Sequence, residues 1–352
     1  MEWLYIHMPI SGVDVFWPGM IILGLGCGIM GGFYGMGAAW MITPGLNLLG
    51  FPMAFAIGTD IAHIAGKSIV STIRHGKFGN VDYPLGIAML GGTIIGIEIG
   101  AQMIMWFERI GKIDLYVRIL YLGFLCFIVY MIVADAIKIR KKKKLAAEKG
   151  EELSKLEGGV TWYKTMHKLP IPPRIHFKQA QIHVSLWLPF IVGFATGWAA
   201  GILGIGGGLI RMPSLIYFVG CPTHVAVGTD LFEVMLSGLY GTFTYTWKGR
   251  TEIVGALIML CGAAFGAQFG AVATKYYKGG AIRVLFGAAV FCCMLSIILK
   301  LFARVYDIVA LDHASTVVIL GGVTVLMCII VYQAIKGMIK EVRMKKAAGL
   351  PK

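Results

Sequence analysis

The sequence contains few charged residues and none of the common motifs of soluble enzymes. Only 14% of its 352 residues are Asp, Glu, Lys or Arg, whereas soluble domains carry about a quarter. Its seven cysteines form no Cys-x-x-Cys pair, its eight histidines form no His-x-x-x-His spacing, and no Walker motif is present. These absences argue against a metal site, a thiol redox centre and ATP hydrolysis. We therefore expect a protein that is not an enzyme and that needs no cofactor.

Long apolar runs are what the sequence has in abundance. Hydrophobic residues make up 57% of the chain and come in stretches of about 20, enough for a helix to cross a bilayer. The short alternating segments of a membrane β-barrel are missing. The sequence therefore predicts an all-α polytopic membrane protein.

Positive charge is concentrated in two places. The net charge is +14, and Lys and Arg crowd into a central loop and the C-terminal tail. This pattern indicates membrane topology and contact with anionic lipid. No nucleic-acid partner is expected, because the basic runs are not interleaved with aromatic residues.

The hydropathy pattern divides the chain into two similar halves. Each half opens with an apolar segment interrupted by Gly and Pro, at residues 17–50 and 186–220. We predict that each interrupted segment is a broken or re-entrant helical hairpin, followed by spanning helices. The expected divisions are a first transmembrane repeat (1–137), a basic cytoplasmic loop (138–184), a second transmembrane repeat (185–303), and a final transmembrane helix with a basic cytoplasmic tail (304–352).

The two halves also repeat one another in sequence. A near-constant difference in residue number relates Gly35 to Gly204, Pro44 to Pro213, Pro52 to Pro222, Gly58 to Gly228, Asp60 to Asp230 and Gly96 to Gly266. Such an offset, kept over most of each half, indicates a duplicated unit. Corresponding interrupted segments in two halves of a membrane protein point to a transport site.

The basic residues set the expected orientation. The central loop and the tail should face the cytoplasm of a bacterial inner membrane, with the N-terminus outside and the C-terminus inside. The first hairpin would then enter from outside and the second from inside, as inverted repeats whose hairpins are opposed near the midplane. Lys248 and Arg250 fit this scheme poorly, because they fall in an outside loop. The scheme also fails if either interrupted segment crosses the membrane once.

At these residues the chain resembles the TauE/SafE family of sulfite exporters, which are membrane permeases. The resemblance rests on the run Gly204-Ile205-Gly206-Gly207-Gly208, on Pro213 and on Gly228-Thr229-Asp230. The first half carries weaker copies, in which Met36 and Ala38 interrupt the glycine run. The resemblance implies transport of a small sulfur-containing anion, such as sulfite, thiosulfate or an organosulfonate, with export as the expected direction.

Backbone N–H groups are the first candidates for binding such an anion. Gly206, Gly207 and Gly208 would let a small oxyanion approach the backbone at the start of a half-helix. Gly37 and Ala38 are their counterparts in the first half. The alternative is that these small residues serve tight helix packing. A dinucleotide site is not indicated, because no βαβ pattern surrounds the run.

Polar side chains within the predicted spans are the second group of candidates. Ionisable groups at membrane depth are costly and mark functional positions. Thr59, His63 and Lys67 are spaced four apart and share one helix face. Lys67, His63 and Arg211 are expected to supply positive potential to an anion path. The alternative for Lys67 is snorkelling to the membrane interface.

The second half carries a related but different set of polar residues. The positions aligned with Thr59, Asp60, His63 and Lys67 are Thr229, Asp230, Glu233 and Ser237. The two threonines are expected to offer hydroxyl groups to the substrate. The aligned histidine and glutamate are the candidate proton carriers. The two aspartates are expected to be structural partners of the broken helices.

Several function classes remain open from the sequence. A secondary anion transporter is favoured, because polar residues at membrane depth are duplicated. An uncoupled anion channel would use the same site. A membrane enzyme is less favoured for want of a catalytic motif, and an assembly subunit would not need the duplicated polar residues. The exact substrate, the direction, the coupling ion and self-association into a homo-oligomer are left open.

Overall fold

Helices make up nearly all of the fold. The computed structural model describes residues 2–34, 39–111, 113–149, 171–204, 207–277, 279–306 and 308–347. The helices are α1 (Trp17–Tyr34), α2 (Ala39–Leu48), α3 (Met53–Lys77), α4 (Tyr83–Arg109), α5 (Ile113–Lys149), α6 (Trp187–Leu203), α7 (Gly208–Ser214), α8 (Thr223–Trp247), α9 (Ile253–Ala273), α10 (Gly279–Tyr306) and α11 (Val309–Ala347). A π-helical turn, Leu215–Val219, continues α7. The predicted site residues Gly37, Ala38 and Gly206 lie outside the described residues.

Four of the described helical segments are long and apolar enough to cross a membrane. They are Trp17–Tyr34, Tyr83–Arg109, Ile253–Tyr276 and Gly280–Ala303. A helix of 20 residues is about 30 Å long, which matches the hydrocarbon thickness of a bilayer. The prediction of an all-α polytopic membrane protein is confirmed.

The first helix of each half packs against a helix of the other half. α1 lies against α9, and α6 lies against α4. A Cβ at Gly28 would lie 2.4 Å from the carbonyl oxygen of Ala263, and one at the aligned Gly197 would lie 2.3 Å from that of Thr93. Only glycine allows these backbones to approach so closely. The duplicated glycines therefore join the two halves into one bundle.

α3 and α8, which the repeat aligns, cross at the centre of the bundle. Gly238 on α8 lies against Ala65, and Gly241 lies against Ile61. Residue numbers therefore fall along α3 as they rise along α8, so the two helices are antiparallel. Antiparallel contact between aligned helices is what inverted repeats would produce. The inverted relation of the whole halves stays a prediction.

Both interrupted segments pair a long helix with a short one that folds back on it. In the first helical hairpin (α1 and α2), Gly26 lies near Met41 and Gly45 near Leu23, so the two helices are antiparallel. α2 has 10 residues, about 15 Å of helix, which is half the hydrocarbon thickness. In the second helical hairpin (α6 and α7), α7 packs back against α6.

Each helical hairpin is preceded by a β-hairpin. The strand pairs are β1 (Tyr5–His7) with β2 (Asp14–Phe16) and β3 (Arg174–Phe177) with β4 (Ile182–Ser185), both antiparallel. Neither was predicted, because such short strands leave almost no periodicity to read. The second β-hairpin lies within the predicted loop 138–184, and α5 continues into the start of that loop as far as Lys149.

A buried carboxylate fastens each β-hairpin to the bundle. Asp82, before α4, accepts two backbone N–H bonds of 3.0 Å from the turn of the second β-hairpin. Glu252, before α9, accepts the backbone N–H groups of Ile10 and Ser11 at 2.9 and 3.0 Å. The two carboxylates occupy positions that the repeat aligns. The duplication therefore includes the carboxylates that hold the two β-hairpins on the bundle.

Candidate functional site

α3 carries ionisable side chains into the interior of the bundle. Asp60, His63 and Lys67 are all fully buried. Thr43 Oγ1 on α2 donates a hydrogen bond of 2.7 Å to Asp60 Oδ2. Nδ1 of His63 lies 4.0 Å from Asp60 Oδ1. Thr43, Asp60, His63 and Lys67 form what we call the first cluster, and the full burial of its ionisable groups inside the bundle makes them functional candidates.

Lys67 lies deep in the bundle and does not reach the membrane interface. It occupies the middle of the 25-residue helix α3, and its side chain is fully buried. Its Nζ donates to the carbonyl oxygen of Cys27 on α1 at 3.5 Å. This burial contradicts the snorkelling alternative, because the ammonium group lies inside the bundle.

The end of α6 reaches the first cluster from the other half. A Cβ at Gly204 would lie 2.9 Å from Thr43 Oγ1 and 3.0 Å from the Cα of Ile57 on α3. Gly204 has a φ of +71°, a left-handed conformation that glycine adopts without strain. The glycine-rich segment of the second half thus begins beside the polar residues of the first half, which the sequence alone did not specify.

The second half places an ion-pair cluster at the aligned position. Nη1 of Arg211 lies 3.2 Å from Asp230 Oδ1 and also contacts Glu233 Oε2. Nε of Arg211 donates a hydrogen bond of 3.2 Å to Thr196 Oγ1 on α6. All four residues are fully buried and form what we call the second cluster. Arg211 was expected to supply positive potential, but two carboxylates cancel its charge.

Gly207 and Gly208 support the second cluster. Gly207 has a φ of +73°, and a Cβ there would lie 2.6 Å from Nη2 of Arg211. Glycine is therefore needed both for this backbone conformation and to leave room for the guanidinium group. Gly208 begins α7 and is buried. The role of these glycines in binding an anion stays a prediction.

Thr59 and Thr229 hold the loops that lead into α9 and α4. Thr59 Oγ1 accepts a hydrogen bond of 2.9 Å from the backbone N–H of Glu252. Thr229 Oγ1 accepts one of the same length from the backbone N–H of Asp82. Both threonines therefore have a structural role that was not predicted. Their hydroxyl donation to a substrate stays a prediction.

The two clusters differ in formal charge. The first cluster has one ammonium, one carboxylate and one imidazole, so its charge is zero with a neutral imidazole and +1 when the imidazole is protonated. The second has one guanidinium and two carboxylates, so its charge is −1 when both are ionised. Ile42 occupies the position aligned with Arg211, and Ser237 that aligned with Lys67. The halves therefore share a scaffold but differ in electrostatics.

A small cleft adjoins the first cluster between α2, α5, α10 and α11. Its polar lining consists of Thr43, Asn47, Tyr121, Ser296, Lys300, Ser315 and Thr316. Thr43 is also the hydrogen-bond donor to Asp60. The cleft therefore leads to the acidic end of the first cluster.

Several of these residues could not have been found from the sequence. Thr43 and Thr196 are single hydroxyl residues on apolar helices, and no motif marks them. The pairing of Arg211 with Asp230 and Glu233 did leave a signal, since all three lie at membrane depth in one half. Among the described residues, no group of three His, Cys, Asp or Glu side chains is placed to hold a metal ion.

Similarity to known proteins identifies the family to which the chain belongs. The model of the family described as sulfite exporter TauE/SafE matches residues 20–297. The matched range contains both helical hairpins and both clusters. The chain belongs to the TauE/SafE family. It is a membrane transporter of that type.

Curated relatives of this TauE/SafE protein carry consistent names. It is 25% identical over 264 residues to the "Probable membrane transporter protein YunE" of Bacillus subtilis, which covers 73% of this chain and 88% of the relative. It is 25% identical over 235 residues to a probable membrane transporter protein of Methanocaldococcus jannaschii, which covers 65% of this chain and 72% of the relative. No solved structure matches the chain.

Proposed function

We propose that this TauE/SafE protein exports a small sulfur-containing anion across the bacterial cytoplasmic membrane, with proton binding coupled to anion binding. The family description supports sulfite, thiosulfate or an organosulfonate as the substrate class. The observation that carries the proposal is the fully buried Lys67 beside the titratable Asp60 and His63. A membrane protein has no structural need for three ionisable groups on one buried helix face.

Lys67 is the cation on which an anion is best bound. Arg211 is held by two carboxylates, so an anion at the second cluster would meet net negative charge. At the first cluster Lys67 interacts electrostatically with Asp60 and His63, and the formal charge of the cluster is zero or +1. Thr43 and Gly204 bring a hydroxyl group and a glycine backbone to the same place, which leaves room for a small oxyanion.

The composition of the first cluster accounts for proton coupling. Protonation of His63 or Asp60 changes the cluster from zero charge to +1. Charges interact strongly at the low dielectric of a buried site, so an anion and a proton each favour binding of the other. A divalent anion that leaves with one proton still carries negative charge outward. A membrane potential that is negative inside therefore favours export.

The arrangement of the halves supports an alternating-access mechanism. α3 and α8 are antiparallel and carry the two clusters, and the end of α6 reaches the first cluster. In inverted repeats, rocking of one half against the other exposes a central site to each side in turn. Lys248 and Arg250, which fitted the outside loop poorly, are paired with Glu98 and Glu108 at 3.0 and 2.9 Å. In each pair a carboxylate offsets the positive charge of this loop.

Transport by purified protein tests the proposal. The protein is reconstituted in liposomes, and uptake of labelled sulfite, thiosulfate and a sulfonate is measured with and without an acidic outside. We expect saturable uptake of at least one of them, faster when the outside is acidic. Lys67→Gln should abolish it, because the buried cation is lost. Lys248→Gln is the matched control, since its ammonium lies in a partly exposed surface pair, and it should transport normally.

The alternatives give different results. Saturable uptake that ignores the pH gradient would favour a uniporter or an uncoupled anion channel. Normal uptake by the Lys67→Gln variant would remove Lys67 from the site. If a folded preparation took up none of the three anions, the substrate class would be wrong.

A further inference from the structure

Comparison of α3 with the aligned helix α8 shows which polar residues of α3 the fold requires. Beyond Lys67, the buried polar residues of α3 are Ser68, Ser71, Thr72 and His75. The aligned residues of α8 are Gly238, Gly241, Thr242 and Tyr245. α8 holds the same place in the duplicated scaffold and lacks most of these polar groups. The fold itself therefore does not require them on α3.

His75 is the clearest example of a polar residue on α3 that the fold does not require. Its Nε2 donates to the carbonyl oxygen of Gly32 on α1 at 3.1 Å. In the other half, the hydroxyl of Tyr245 donates to the carbonyl oxygen of Gly201 on α6. The repeat aligns Gly32 with Gly201, and both donors are fully buried. A tyrosine meets the structural need at this position, so the histidine adds a titratable group that packing does not require.

The polar face of α3 also carries many unpaired atoms. Within the part of the chain that the structure describes, these buried atoms have no hydrogen-bond partner: both ring nitrogens of His63, the hydroxyl oxygens of Ser68, Ser71 and Thr72, and Nδ1 of His75. A buried unsatisfied polar group costs about 1–3 kcal/mol. Hydroxyl and imidazole groups can both accept and donate a proton. His63, Ser71 and His75, with Lys67 between the first two, follow one another at four-residue spacing and make a row along α3 suited to proton transfer.

The row has the length and the end points of a path through half of the membrane. From His63 to His75 α3 rises about 18 Å, more than half of the hydrocarbon thickness. At one end His63 belongs to the first cluster. At the other, Lys77 follows shortly after His75 and is exposed. The row therefore joins the first cluster to the face of the bundle where α3 ends.

We propose that the row of His63, Lys67, Ser71 and His75 on α3 conducts protons between the first cluster and the cytoplasmic face, by a route that meets the anion only at the first cluster. The proposal rests on the proposed function. Lys67 passes its proton to His63 or Asp60 and regains one from His75 through Ser71, so nothing is consumed and the transferred proton ends on His63 or Asp60. The other titratable groups that act electrostatically on this row are Asp60 of α3, Cys27 of α1 and His224 of α8.

The aligned residues supply the test variants. His75→Tyr installs the residue that α8 uses for the same contact, so the hydrogen bond to Gly32 should survive. Tyr245→His is the reverse exchange in the other half and serves as the matched control. In proteoliposomes that contain a pH-sensitive dye, we measure uptake of labelled sulfite driven by a pH gradient, and exchange of labelled for unlabelled sulfite at equal pH. Exchange needs no net proton transfer.

We expect His75→Tyr to lose at least tenfold in gradient-driven uptake and in proton entry, while exchange stays near the wild-type rate. Tyr245→His should keep gradient-driven uptake, proton entry and exchange near the wild-type rates. Wild-type gradient-driven uptake in His75→Tyr would overturn the proposal. If His75→Tyr does not fold, Ser71→Ala is measured instead, because it interrupts the row and keeps the imidazole. We expect the same tenfold loss of gradient-driven uptake and proton entry with unchanged exchange, and wild-type gradient-driven uptake would overturn the proposal.

Failure of the proposed function gives a separate result. Wild-type protein that exchanges no sulfur-containing anion would contradict the transport proposal and leave the proton path to be judged by the dye alone. Proton entry driven by an acidic outside should then still be slower in His75→Tyr than in Tyr245→His. Equal rates in these two variants would overturn the path.

Discussion

Arg211 and Asp230 are joined by a 3.2 Å contact between Nη1 and Oδ1, in a position where both side chains are fully buried. Glu233 contacts the same nitrogen. One guanidinium group thus pairs with two carboxylates from α8 and holds α7 against that helix. The contact gives the second cluster a structural function.

Replacing Arg211 should therefore destabilise the protein rather than only slow transport. Breaking a buried ion pair from one side costs about 3–5 kcal/mol, because the partner charge stays buried. We expect Arg211→Ala to lower the thermal unfolding midpoint in detergent by many degrees. Arg250→Ala breaks a partly exposed pair with Glu108 and should cost about 0–1 kcal/mol. Equal shifts in the two variants would contradict the structural role of Arg211.

The close approach of α1 to α9 predicts a strong effect of side-chain size at Gly28. A Cβ there would meet the carbonyl oxygen of Ala263 at 2.4 Å, and this backbone atom cannot move aside. Overpacking costs about 1–3 kcal/mol or more, so Gly28→Leu should reduce the yield of monodisperse protein in size-exclusion chromatography. Gly197→Leu should do the same in the other half. Gly123→Leu is the control, because nothing lies within 4 Å of a Cβ at that position.

Neutralising Glu252 should loosen the first β-hairpin. Its carboxylate accepts the backbone N–H groups of Ile10 and Ser11, and hydrogen bonds to charged groups contribute about 1.5–3 kcal/mol. We expect Glu252→Gln to speed amide hydrogen exchange at these two residues at least tenfold, measured by mass spectrometry. Glu108→Gln removes a surface carboxylate and should leave their exchange unchanged. Unchanged exchange in Glu252→Gln would show that the carboxylate does not hold the turn.

The proposed orientation places Ile10 outside and Lys77 in the cytoplasm. Single cysteines at these exposed positions can be tested in cells with a membrane-impermeant maleimide. The background carries Ala at the exposed native cysteines, Cys126, Cys261 and Cys328. We expect Ile10→Cys to react in intact cells and Lys77→Cys only after lysis. Reaction of both from the same side would contradict the topology, and the opposite pattern would reverse it.

Much of the scaffold was predictable because the two halves of the chain repeat one another in sequence. The near-constant offset between the halves predicted that Asp60 and Asp230 hold equivalent places, and both lie buried on the two central helices. The two β-hairpins were missed, since a few residues with no apolar run leave no signal. The partners of Thr59 and Thr229 were also missed, because the loops at Glu252 and Asp82 lie far away in the chain.

The sequence by itself determined the membrane class, the duplication and which ionisable residues lie at membrane depth, because hydropathy and spacing are properties of the chain. Only the tertiary structure decided which charges are matched. Arg211 and Lys67 look alike in the sequence, yet Arg211 is paired with two carboxylates, whereas Lys67 donates to the backbone carbonyl oxygen of Cys27. The reason is physical. Electrostatic energy depends on distances of a few ångströms, and folding sets those distances between residues that are far apart in the chain.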